Sequence, residues 1–363
     1  MAALRILLDP TRLGREAETL EEKLKKSIVG QEEAIRQIVD RYQTFGAGMS
    51  NPGRPVANFL FLGPTGSGKT RTVEALAEAL TGDERAAIKI DCAEFQQGHE
   101  IAKLIGSPPG YLGHRETHPL LSQEILDQHR TGACKLSFVL FDEIEKASDT
   151  LWNLLLGILD RATLTLGDNR RVDFSQTMIF LTSNLGASEM EAMLRPPVGF
   201  AAPASTAAPA DDKLAGKLSR AGVEAARRRF TPEFMNRIDK VVVFRPLGDV
   251  ELRRILNLEV GYVQNRLRRA TGAQTLTLKL DNAARSLLLR EGTDARYGAR
   301  HLKRAIERLL VQPMANLVAT GQVGEGDQVF VHADTRTERL VFLKEFQGAT
   351  PRIEAESGHS AAA

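Results

Sequence analysis

The chain has 363 residues, 42% hydrophobic and 26% charged, ordinary for a globular protein and long enough for two compact units with tails rather than one core. Its formal charge of +2 argues neither for nor against a nucleic-acid partner, because local patches decide that. Cys92 and Cys134 lie far apart without metal-ligand spacing and read as reduced thiols, which excludes a disulfide scaffold; no apolar stretch is long enough to span a bilayer, so a cytoplasmic protein is expected.

Residues 1–24 read as a charged, helical lead-in whose apolar start is too short for a signal peptide and is broken by Asp9-Pro10. From Ser27 to Phe244 apolar runs alternate with helical patterns, as in an α/β fold built from βαβ units. NFLFL (58–62), AAIKID (86–91), FVLF (138–141), MIFL (178–181) and KVVVF (240–244) are the predicted strands. Their near-continuous apolarity fits a parallel sheet covered by helices on both faces. The Ala/Pro-rich stretch 196–212 reads as a flexible excursion within this domain (25–245). After Pro246 the pattern gives a helix over 249–269, a strand at TLTLKL (275–280), helices over 282–290 and 299–320, and a strand pair near 328–345. These suggest a smaller α+β domain over 246–346, followed by a disordered tail, 347–363.

GPTGSGKT (63–70) fits the phosphate-cradle pattern G-x-x-x-x-G-K-[ST]. The loop through Pro64, Thr65, Gly66, Ser67 and Gly68 can curl around phosphates with its N–H groups from Thr65 onward, Lys69 supplies a positive charge, and Thr70 offers Mg²⁺ a hydroxyl. A glycine-rich turn is the bland alternative. The apolar strand before the motif, and Val73, Leu76, Ala77 and Leu80 at helical spacing after it, favour nucleotide. FVLFDE (138–143) ends a buried strand in two carboxylates, where open α/β sheets place their chemistry. Asp142 suits Mg²⁺ and Glu143 a general base toward water. MIFLTSN ends in Thr182, Ser183 and Asn184; the Asn184 amide could orient the same water, or the run could be a simple turn.

VGQEEA (29–34), GPTGSGKT, GYLG (110–113), LFDEIEKA (140–147), TSNLG (182–186), FTPEFMNRID (230–239) and YGARHLKRAIE (297–307) occur in this order. Together they resemble the carboxyl-terminal ATPase module of the ClpA/ClpB/ClpC class of AAA+ protein unfoldases, over roughly 25–335. The resemblance implies a P-loop AAA+ module with a small C-terminal lid domain, ATP and Mg²⁺ as cofactors, polypeptide substrates and a homo-hexameric ring. It places Ile28 and Val29 at the adenine pocket and Thr70 and Asp142 at the metal. Arg237 takes the role of the arginine finger reaching a neighbouring subunit, and Arg300 that of the second sensor. Tyr111 and Leu112 match the pore loop that grips an extended chain, the aromatic standing between glycines after two prolines. Val198, Gly199 and Phe200 sit where related unfoldases dock on a ClpP-like peptidase; an apolar tether is the alternative.

Three departures stand out. Some two dozen residues precede the module, so substrate selection is expected in the pore, the tails or a partner. HRETHPL follows GYLG, adding His114, Arg115 and His118 near the expected pore. Ala162-Thr163 replaces a common Gly-Arg after ILD, which could weaken communication between subunits. Two other functions stay open. One is a motor or loader on nucleic acid, supported by Arg227, Arg228 and Arg229 with Lys213, Lys217 and Arg220. The other is an ATP-switched scaffold.

Overall fold

The computed structural model describes residues 7–107, 118–132, 134–194, 212–272, 276–293, 298–334 and 336–345. Two compact units divide the chain, one drawn from 1–255 and 294–301, the other from 256–293 and 302–363.

In the first unit the strands are β1 (Ala57–Leu62), β2 (Ala87–Asp91), β3 (Ser137–Asp142), β4 (Thr163–Thr165), β5 (Arg171–Asp173), β6 (Thr177–Ser183) and β7 (Lys240–Val243). Five of them form one parallel sheet in the order β2-β3-β6-β1-β7. Each predicted strand is present to within about two residues at either end. Alternate side chains feed two separate cores. Leu60, Leu62, Val139, Phe141, Ile179 and Leu181 pack on one face. Phe59, Phe61, Phe138, Leu140, Met178 and Phe180 pack on the other, with Phe59 and Phe180 stacked at 5.2 Å between centroids. That two-sided burial is why these strands read as unbroken apolar runs.

The helices around this sheet are α1 (Arg15–Ser27), α2 (Glu32–Gly46), α3 (Lys69–Thr81), the short α4 (Ala102–Ile105) and α5 (Gln123–Asp127), α6 (Asp149–Arg161), α7 (Ala187–Leu194), α8 (Asp212–Arg229) and the single turn α9 (Pro232–Met235). Of the expected helical lead-in, 7–14 is irregular and only the part from Arg15 is helical, with α1 burying Ala17, Leu20 and Leu24 in the second core. The antiparallel β4–β5 hairpin is an addition that the sequence reading lacks. Its strands are three residues each and half exposed, too short to show a period.

The remaining elements are α10 (Asp249–Thr271), β8 (Thr277–Leu280), α11 (Asn282–Gly292), α12 (Ala299–Ile306), α13 (Gln312–Ala319), β9 (Gln328–Asp334) and β10 (Arg339–Lys344). β10-β9-β8 form a sheet, antiparallel then parallel. The helix expected over 299–320 is divided, with a π-turn at Glu307–Val311 between α12 and α13. Pro313 explains it: lacking an N–H it cannot continue the i→i−4 ladder, and Gln312 N–H instead closes on Glu307 O, five residues back.

The expected pore loop, Tyr111 and Leu112 with His114 and Arg115, and the expected docking residues Val198, Gly199 and Phe200 lie outside the described residues, as does the tail.

Candidate nucleotide site

The strand order does the assembling. Because β6 lies between β3 and β1, the carboxyl ends of three strands distant in sequence become neighbours, at Asp142, Ser183 and Leu62. This is where an open parallel sheet offers a crevice to a ligand. Leu62 leads into the phosphate loop, in which Gly63, Gly66 and Gly68 take φ of +141°, +76° and +102°, values costly for side chains bearing a Cβ. A Cβ at Gly63 would lie 2.5 Å from Phe244 O. Lys69 opens α3, whose N-terminus is therefore aimed where the loop curls.

Lys69 is buried, its Nζ donating to Gly63 O at 2.6 Å, Pro64 O at 3.0 Å and Asn184 Oδ1 at 2.9 Å. Burial pushes its pKa down to about 8. Glu145, Asp142 and Glu143 resist that fall, and the charge of Arg300 adds to it. The Ser67 hydroxyl is buried with no hydrogen-bond partner among the described residues. An orphaned donor inside a cradle of N–H groups suits a bound anion.

Thr70 Oγ1 stands 3.4 Å from both carboxylate oxygens of Asp142. A hydroxyl facing a carboxylate is the oxygen pair that Mg²⁺ takes when phosphates complete its shell, so these residues fit that ion. Asp142 also accepts from Thr182 Oγ1, and Lys89 Nζ lies 3.6 Å away. Glu143 follows in the left-handed region, φ +59°, a strained setting for a non-glycine residue that turns its side chain away from the strand. Thr182 Oγ1 accepts from Glu143 N–H at 3.0 Å and holds the bend. The Glu143 carboxylate pairs with Lys146 and accepts from Asn184 Nδ2 at 3.3 Å. Asn184 thus bridges the loop lysine and the carboxylate, and Glu145 Oε1 accepts from its backbone N–H at 3.0 Å.

Ile28 and Val29 are buried at the end of α1. Gln31 places that segment beside the cradle, its Nε2 donating to Ser67 O at 3.1 Å and Arg245 O at 2.9 Å. Gln31, Thr182 and Glu145 were not among the predicted site residues. A buried glutamine is legible only once its surroundings are known, and Thr182 and Glu145 flank predicted residues without a pattern of their own. Gly298, at φ +50°, sits so close that a Cβ there would be 3.0 Å from Gly66 O, and Ala299 N–H donates to Gly66 O at 3.2 Å. Arg300 follows directly, exposed.

Arg237 is not part of this cluster. Its guanidinium donates to Glu233 O at 2.8 Å and pairs with Glu233 Oε1 at 3.1 Å and Asp160 at 3.9 Å. It lines an open depression with Arg161, Thr163 and Arg171, among others. Ala162, which ends α6, holds φ +50°. A left-handed cap is glycine's natural place, so an alanine there carries a conformational cost.

Residues 54–241 match the family model described as AAA domain (Cdc48 subfamily), just over half of the chain. The chain belongs to the AAA family. Residues 247–331 of this AAA protein match the C-terminal, D2-small domain of ClpB protein. The chaperone protein ClpB of Gloeobacter violaceus is 39% identical over 325 residues, covering 90% of this chain and 34% of that protein. ClpB of Bdellovibrio bacteriovorus is 37% identical over 319 residues, covering 88% and 34%. The chain spans about a third of the length of the curated relatives it matches. Among solved structures, a closed-state cryo-EM reconstruction of Hsp104 with ATPγS and FITC casein is similar, with a TM-score of 0.71 and 27% identity over 90% of this chain and 52% of that one. Among the described residues no helix is long and apolar enough to cross a membrane.

Proposed function

We propose that the chain is an ATP-hydrolysing motor module that, as a cytoplasmic homo-hexameric ring, pulls on polypeptide. The observation that carries this reading is the convergence of Lys69, Thr70, Asp142, Glu143 and Asn184 at three adjacent strand ends.

The residues divide the work. The loop N–H groups and Lys69 bind the phosphates, Lys69 exchanging its bonds to Gly63 O and Pro64 O for phosphate oxygens. Thr70 and Asp142 would hold Mg²⁺, which supplies charge that offsets the phosphates when bound. Glu143 is the base: released from Lys146, its carboxylate accepts a proton from the attacking water while the Asn184 amide fixes that water's position. Arg237 and Arg300 are read as the finger toward a neighbouring subunit and the sensor on the nucleotide; a guanidinium's permanent charge and flat fork suit phosphate oxygens.

ClpB is named a chaperone, and the Hsp104 reconstruction contains a labelled casein. Both support a polypeptide as the cargo, gripped by Tyr111 and Leu112. The nucleic-acid alternative loses ground on two of the four arginines behind it. Arg228 lies 3.8 Å from Glu189, and Arg229 stacks on Trp152 at 4.4 Å.

Glu143→Gln tests the hydrolytic half. ATP turnover should fall by about a hundredfold or more while nucleotide affinity holds, the usual scale for losing a general base. Turnover within threefold of the parent would remove Glu143 from the role.

A further inference from the structure

Arg229, which the hydrolytic reading leaves unused, ends α8 at a junction between two parts of the machinery. Its Nη2 donates to Glu145 O at 3.0 Å, and its guanidinium carbon lies 4.4 Å from the centre of the Trp152 ring. Trp152 in turn donates from Nε1 to Ile144 O at 3.1 Å. The two carbonyls that follow Glu143 are therefore both taken by one stacked cation–ring pair, beside the strained residue that carries the general base. The same ring also meets the finger segment. Trp152 meets Phe230 edge-on at 5.5 Å, Phe230 stacks on Phe234 at 5.2 Å, and Phe234 O accepts from Arg237 N–H at 3.1 Å.

We propose that Arg229, through Trp152, is a positioning residue that couples the Arg237 segment to the Glu143 turn within one subunit. A finger that engages or releases a phosphate shifts Phe234 and Phe230, the stack passes the shift to Trp152 and Arg229, and the carbonyls of Ile144 and Glu145 carry it to Glu143. The proposal rests on the hydrolytic reading above. It adds the signal that sets the base. Contiguous packing with two possible arrangements is the kind of element that carries such coupling.

Trp152 is the chain's only tryptophan, so its emission reads the junction directly. The test uses the whole chain with ATP, following steady-state turnover and tryptophan emission. In the parent, nucleotide should shift the emission. In Arg229→Ala that shift should vanish and kcat should drop about tenfold with KM unchanged, on the scale of one cation–π contact plus a hydrogen bond from a charged donor to a carbonyl. Arg229→Lys, which keeps the charge over the ring, should recover kcat to within about threefold. If Arg229→Ala does not fold, Trp152→Phe, which keeps a ring but deletes the N–H to Ile144 O, should lower kcat about fivefold at constant KM. The proposal is overturned if Arg229→Ala, or Trp152→Phe in its place, only lowers the melting temperature and leaves kcat intact. It also fails if Arg229→Ala retains the nucleotide-induced emission shift. A parent that binds ATP but does not turn it over would sink the hydrolytic reading itself; a turning-over parent with an indifferent Arg229 sinks this inference alone.

Discussion

A lysine held among carbonyl oxygens and an amide oxygen is waiting for a stronger anion. Lys69 has lost bulk water and gained only weak acceptors, which is why it releases its proton near pH 8 rather than 10.5. Two consequences follow, with opposite readouts. Between about pH 8 and 10.5 the unfolded chain keeps a proton that the free folded chain has shed, so this group makes the folded state gain stability as pH rises through that window. Phosphates reverse the situation by restoring the charge. Nucleotide binding at pH 8 should take up about half a proton, and affinity should be roughly tenfold weaker at pH 9 than at pH 7. Calorimetry in two buffers of different ionisation heat measures the uptake directly. A binding heat independent of buffer would show that Lys69 is already fully charged in the free protein. At this scale the motif residues were legible because their chemistry is local: glycines, a lysine and a threonine within eight positions. The Ser67 hydroxyl left without a partner, and the Asn184 amide shared between Lys69 and Glu143, were not legible, since both depend on what folds over them.

Among the elements, strands were the easiest to read and turns the hardest. Continuous apolar runs announce strands buried on both faces, but nothing in them says that β6 threads between β1 and β3. That order, rather than the motifs themselves, brings Asp142 and Asn184 to the phosphate loop. Pro313 within a long helical pattern was a visible signal for the π-turn that divides it. The turn between β9 and β10 gave no such warning. Glu338 there adopts φ +51°, and the surrounding TRTER carries neither Gly nor Asn. Its carboxylate meets Arg290 at 3.0 Å, but both side chains are more than half exposed, so the pair adds little. Glu338→Gly should therefore stabilise this hairpin's unit by about 1 kcal/mol, the cost of a left-handed non-glycine residue. Urea unfolding followed by far-ultraviolet dichroism reads the gain. A midpoint that stays still or moves down would mean that the turn is not strained.

For the whole molecule, the proposed function joins a nucleotide site built by one sheet to work done on another chain. Intact Glu143 with Asn184, and arginines at 237 and 300, are more than a nucleotide-switched scaffold needs, so turnover coupled to substrate capture is the expected behaviour. Blocking turnover should then lock substrate in place. The most direct measurement is fluorescence anisotropy of fluorescein-labelled casein mixed with Glu143→Gln protein, with ATP or without it. Tight, ATP-dependent capture should survive for hours and disappear when Tyr111→Ala is added to the same chain. Casein that stays free in the presence of ATP, or capture indifferent to Tyr111, would contradict the proposed function.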